Sequence, residues 1–176
     1  SIAYAGPQVT AYQNLVAYWN FDEDDGASTG DVSGNGNNGK FYGNPQFVTG
    51  KFGNAVDFDH NGDYITIDNF AGITTSNFVS VSGWMNLDTV GTAGLDDAAL
   101  FSSHSNDAHM FLLWYNADGA GSGSPSYSFN VGSVGTGSNR VGSGASSAVA
   151  GAWQHVVGTY NMGTKKIYVN GVLKGT

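Results

Sequence analysis

The sequence predicts an all-β fold, a two-sheet antiparallel β-sandwich, and three observations carry that prediction. Short runs rich in Val, Ile, Thr and aromatic residues recur along the chain, separated by clusters of Gly, Asn, Ser and Asp. Glutamate occurs once, at Glu23, and charged residues make up 11% of the chain, so the strong formers that fill long helices are scarce. Asn170-Gly171 lies between two β-rich runs, and a type I′ hairpin turn, which needs φ > 0 twice, favours that pair of residues.

Taken in order, residues 1–14 are polar and irregular with Pro7, and read as an arm or extra edge strand. Residues 15–176 form the sandwich proper. The first strand is 15–21 (LVAYWNF), ended by the acidic turn at 22–26. The 31–39 segment (DVSGNGNNG) is loop by composition. Short strands follow at 40–42 and 55–58, and the 59–63 turn leads from the latter into 64–67 as a hairpin. Over 78–87 (FVSVSGWMNL) Phe78, Ser80, Ser82 and Trp84 share one face and Val79, Val81, Gly83 and Met85 the other. Bulk on both faces predicts a strand in the middle of the sandwich. Further strands are expected at 98–102, 109–115 (HMFLLWY) and 127–131. The Gly/Ser-rich 132–152 stretch holds at most one poorly patterned strand, and strands at 154–160, 166–169 and 172–174 close the series.

Composition bounds the function. At 176 residues the chain suits one domain with a sizeable core. Its net charge is −8 with six basic residues, which leaves nothing to neutralise a phosphate backbone and excludes nucleic acid. There is no cysteine, so no disulfide staples the fold. No apolar run approaches the ~18 residues of a membrane span. Residues 1–8 lack the charged and apolar regions of a signal peptide.

Five segments together resemble the laminin G-like, concanavalin A-like jelly-roll family. They are LVAYWNFDE from Leu15, DVSGNGNNG from Asp31, GKFGNAVDFDHNGDYITI from Gly50, VSVSGWMNL from Val79, and GAWQHVVGTYN…KKIYVNGVLKG from Gly151. The resemblance runs from about Leu15 to the end. It implies a jelly roll on a secreted or cell-surface protein, and a non-catalytic role in recognition or adhesion with a glycan or an extracellular protein as partner. It also implies one structural calcium near the first strand, with Asp22, Asp31, Asn35 and Asn37 as the ligand set. Domains of this kind continue past the YVNG hairpin, whereas this chain stops at Thr176. An open sheet edge would then be available for self-association, with the N-terminal arm as donor strand. The alternative function is therefore a structural subunit of an extracellular assembly.

The chemistry-bearing residues argue against catalysis. Glycosidases mostly need two carboxyl groups facing one sugar, and related sandwich hydrolases carry a Glu pair on a strand. Here the single Glu and most of the aspartates fall in turns, and no Gly-x-Ser-x-Gly nucleophile elbow stands in a strand-to-helix setting. His155 pairs with Trp153 in a packing motif, His60 is a turn residue, and His104 and His109 lack the further ligands of a zinc site. The 59–63 turn has oxygens at alternate positions but lacks the distal Glu of a calcium loop. Sugar recognition requires an exposed aromatic platform. Trp19, Trp84 and Trp153 sit in core-patterned segments. Trp114 and Tyr115 are adjacent, so one of them must leave the core face, and Tyr115, Asn116 and Asp118 form the expected binding edge.

Overall fold

The computed structural model describes residues 14–59, 61–68, 70, 77–91, 98–102, 111–117, 124–132 and 140–176. Among them there are thirteen strands and no helix. The chain divides into two units, 1–73 and 74–176.

The first unit holds a three-stranded sheet in which β2 (Gly39–Tyr42) lies between β1 (Ser28–Thr29) and β5 (Tyr64–Thr66). A separate hairpin joins β3 (Gln46–Thr49) to β4 (Asn54–Asp57), and Gly53 supplies the positive φ its turn requires. Two expectations need correction. Residues 55–58 and 64–67 are not hairpin partners, because β4 pairs with β3 and β5 with β2. Before β5 the Asp63 carboxylate accepts the backbone N–H of Asn44 at 2.5 Å and of Asp59 at 3.1 Å. Residues 15–21 are likewise no ladder strand. They are held by the loop at 31–37: Val32 N–H donates to the Tyr18 carbonyl at 2.8 Å, and Trp19 Nε1 to the Asn37 carbonyl at 2.7 Å. Positive φ at Asn14 and Phe21 ends the extended run on both sides. The composition cue of β-branched and aromatic residues was real, but it reports a half-buried surface rather than a hydrogen-bonded ladder.

The second unit carries two four-stranded antiparallel sheets. One has the order β10-β9-β8-β7, with β7 Ala98–Ser102, β8 Phe111–Asn116, β9 Ser126–Val131 and β10 Arg140–Gly142. The other has the order β13-β12-β11-β6, with β6 Phe78–Met85, β11 Gln154–Asn161, β12 Thr164–Val169 and β13 Val172–Gly175. The Asn170-Gly171 turn joins β12 to β13 with both residues at positive φ, as the sequence predicts. Tyr115, Tyr127, Phe129 and Leu113 from the first sheet are buried, as are Val156, Ile167 and Val169 from the second. Each such side chain contributes roughly 1.5–3 kcal/mol of burial.

The sheets meet closely where glycine allows it. A Cβ at Gly158 would stand 2.3 Å from the Phe129 ring, so the ring lies directly on the β11 backbone. At the end of this core the Tyr127 hydroxyl donates to Gln154 Oε1 at 2.8 Å, bridging β9 to β11. The same Oε1 accepts the Val149 N–H at 2.8 Å, and Gln154 Nε2 donates to the Ser147 carbonyl at 2.9 Å. Burial, reinforced by Tyr115 nearby, pushes the Tyr127 phenol up to about 12.

β6 corrects another expectation. Among the described residues it is terminal in its sheet, pairing with β11 alone, and only its Val79 face turns inward. Phe78 is 59% exposed and Trp84 38% exposed. Trp84 is therefore not a core residue. Its ring instead packs on His155, the residue opposite it in the ladder, with centroids 5.1 Å apart.

Candidate functional site

The outward face of the β10-β9-β8-β7 sheet is built by alternation. Phe111, Leu113 and Tyr115 of β8 point into the core, so Leu112, Trp114 and Asn116 occupy the opposite face. Antiparallel register then aligns whole rows across the sheet. One row reads Gly142, Ser128, Trp114, Ala99, and the next reads Arg140, Asn130, Leu112, Ser102. Ser126 stands opposite Asn116 at the end. Trp114 is thus flanked by small residues on both sides and is partly exposed, while Ser128 beside it is buried. Ala99, Leu112, Trp114, Asn116 and Arg140 line an open cleft of about 370 Å³.

Polar capacity lies beside it. Ser128 Oγ and Asn130 Oδ1 are buried atoms of these rows without a hydrogen-bond partner, a state that typically costs about 1–3 kcal/mol per group. Arg140 is exposed, and among the described residues no carboxylate pairs with it.

Of the expected binding edge, Asn116 lines the cleft while being almost wholly buried. Tyr115 does not belong to it. It is 1% exposed, and its hydroxyl accepts the Gly91 N–H at 2.9 Å inside the core. The aromatic that leaves the core is Trp114, one position earlier. The alternation of Phe111, Leu113 and Tyr115 as one inward set was the signal that selects it. Asp118 lies outside the described residues, as do His60, His104 and His109. Arg140 was missed because β10 is a three-residue strand inside a Gly/Ser-rich stretch with almost no pattern.

The residues expected to hold calcium form a different device. Asp31 Oδ1 accepts N–H groups from Tyr18 and Ser33, both at 2.9 Å, and Oδ2 accepts that of Asn37 at 3.0 Å. Burial pushes this carboxyl upward, but hydrogen bonds from Ser33, Tyr18 and Asn37 outweigh it and hold the pKa at about 2. Asn35 Nδ2 donates to the Leu15 carbonyl at 2.7 Å, and Asn37 Nδ2 to the Val16 carbonyl at 2.8 Å. Asp22 accepts the Asn54 N–H at 3.1 Å and the Asn20 amide at 2.9 Å. The Asp31 and Asp22 carboxylates thus accept hydrogen bonds from the chain itself, and Asn35 and Asn37 are held through their amide nitrogens. Among the described residues no three His, Asp or Glu side chains cluster as a metal site. Glu23, the single glutamate, is equally committed: it accepts the Thr29 hydroxyl at 3.1 Å and the Gly30 N–H at 2.7 Å.

Two facing antiparallel sheets, with a cleft around one outward tryptophan, define a β-sandwich module. Residues 59–176 match the laminin G-like profile of the concanavalin A-like lectin/glucanases superfamily, and the chain belongs to that family. It is similar to residues 221–444 of an S-layer domain-containing protein from Clostridium thermocellum, at 26% identity and a TM-score of 0.56. That likeness covers 90% of this chain and 70% of the other. It is also similar to domain 4 of AbnA, a GH43 extracellular arabinanase from Geobacillus stearothermophilus, solved in complex with arabinotriose. Here the identity is 23% and the TM-score 0.62, over 91% of this chain and 73% of the other, a likeness of fold. No curated protein matches the chain in sequence.

Proposed function

We propose that the protein is a non-catalytic glycan-recognition module of an extracellular or cell-surface protein, and that it binds through the outward face of β7–β10. The observation that carries this reading is Trp114, partly exposed on the outward sheet face in a row with Gly142, Ser128 and Ala99, lining a cleft. A pyranose or furanose ring stacks its apolar face on such an indole, and neighbouring amides and hydroxyls read its polar edge. Asn116 and Arg140 stand where that edge would lie. The arabinanase domain bound to arabinotriose shares the fold, and supports the class of ligand without naming it.

The test is retention on a panel of immobilised polysaccharides, followed by calorimetry with the best oligosaccharide. Trp114→Ala should lower affinity at least tenfold while the melting temperature stays within a few degrees. Undiminished binding by that variant would remove the cleft from the reading.

A second reading, a subunit of a surface assembly, is favoured by one feature. β13 pairs with β12 along one edge only among the described residues, and it exposes Val172 and Leu173, 56% and 48% accessible. An unpaired edge of that kind is a template for another strand. The likeness to the S-layer protein supports the same reading.

A further inference from the structure

We propose that the glycan bound on the Trp114 face carries a carboxylate, as a uronic acid residue does, and that Arg140 is the group that selects it. The inference rests on the glycan-binding reading and names its ligand class.

Arg140 is the sole arginine among six basic residues in a chain of net charge −8. It projects from β10 onto the same face as Trp114, one row along the sheet, and lines the same cleft. Among the described residues no carboxylate pairs with it. A lone guanidinium beside an aromatic platform is a poor choice for a neutral sugar, since hydroxyls are read equally well by amides. It suits a planar carboxylate, which it grips with two parallel N–H···O bonds. The row arrangement gives the spacing such a ligand needs. Adjacent strands lie about 4.8 Å apart and successive same-face residues about 6.8 Å apart along a strand. With β9 between β10 and β8, the Cα atoms of Arg140 and Trp114 are then on the order of 12 Å apart. The extended arginine side chain covers roughly half of that span and a sugar ring on the indole the remainder. The negative net charge of the chain opposes approach at low salt, but at physiological ionic strength fields are screened beyond roughly 8 Å, and the local pair dominates.

The experiment is calorimetry in 0.15 M salt (about physiological) with three probes: a de-esterified oligogalacturonate, its methyl ester, and a neutral arabino-oligosaccharide. The expected result is binding of the oligogalacturonate that weakens at least tenfold on methyl esterification. Arg140→Gln should remove that preference, and Arg140→Lys, which keeps charge but loses the bidentate grip, should restore part of it. Equal binding of ester and acid, or preference for the neutral sugar with Arg140→Gln inert, would overturn the carboxylate assignment and leave the glycan reading standing. Absence of binding to every sugar would overturn both. Since Arg140 is exposed, an unchanged melting temperature in both variants confirms that the comparison is between folded proteins.

Discussion

At the scale of single residues, adjacent positions on β8 have opposite fates. Tyr115 is sealed in the core with its hydroxyl on the Gly91 amide, while Trp114 stands on the outward face. Tyr115→Ala should therefore destabilise by about 3–5 kcal/mol, the usual range for deleting a buried aromatic. Trp84→Ala should cost clearly less, because Trp84 is 38% exposed and loses mainly its packing on His155. Chemical denaturation of the two variants checks the order; equal losses would mean that Trp84 packs against more than the His155 ring. The sequence carried the dilemma at Trp114 and Tyr115 plainly. The expectation placed Tyr115 at the outward edge, and the structure buries it and turns Trp114 outward instead. The inward set Phe111, Leu113, Tyr115 decides the matter, and that set is visible only once the strand's phase is fixed.

Elements show where local signals suffice and where they do not. The β12–β13 hairpin was legible because Asn170-Gly171 demands a geometry that few other pairs tolerate. The short strands β1 and β3 were not, since two to four residues give no usable period. The 15–21 segment is the instructive case: its β-rich composition is matched by burial, but its backbone is satisfied by side chains of the 31–37 loop. Asp31 is the organiser of that loop, and its linkage to pH follows from the depressed pKa. The folded value, about 2, lies below the ordinary 3.8, so its contribution is present above about pH 4 and is lost as pH falls through 2. Asp31→Asn should lower the melting temperature at pH 7 and flatten its decline between pH 4 and pH 2. A melting temperature unchanged at pH 7 would mean that the amide bonds to Asp31 hold nothing of consequence.

For the whole molecule, the fold class and the family were readable from the scattered segments because each constrains backbone as well as composition. The pairing of strands in the first unit was not, because connectivity between sheets depends on contacts such as Asp63 to Asn44 that span some twenty residues. Assembly is the property that one measurement at this scale addresses. Light scattering after size exclusion should give a concentration-dependent mass if the edge of β13 recruits another chain, and a constant monomer mass if it does not. A charged substitution on that edge, Val172→Lys, should abolish any association and leave binding at Trp114 untouched.

The contact between Gly158 and the Phe129 ring bears on the proposed binding face as well as on packing. Phe129 sits in β9 between Ser128 and Asn130, whose side chains belong to the opposite face. A single hydrogen at position 158 thus acts as the gauge that sets how far that strand stands from the sheet behind it. Any side chain there would lift β9 and with it the outward face that carries Trp114, so a position absent from that face controls its curvature.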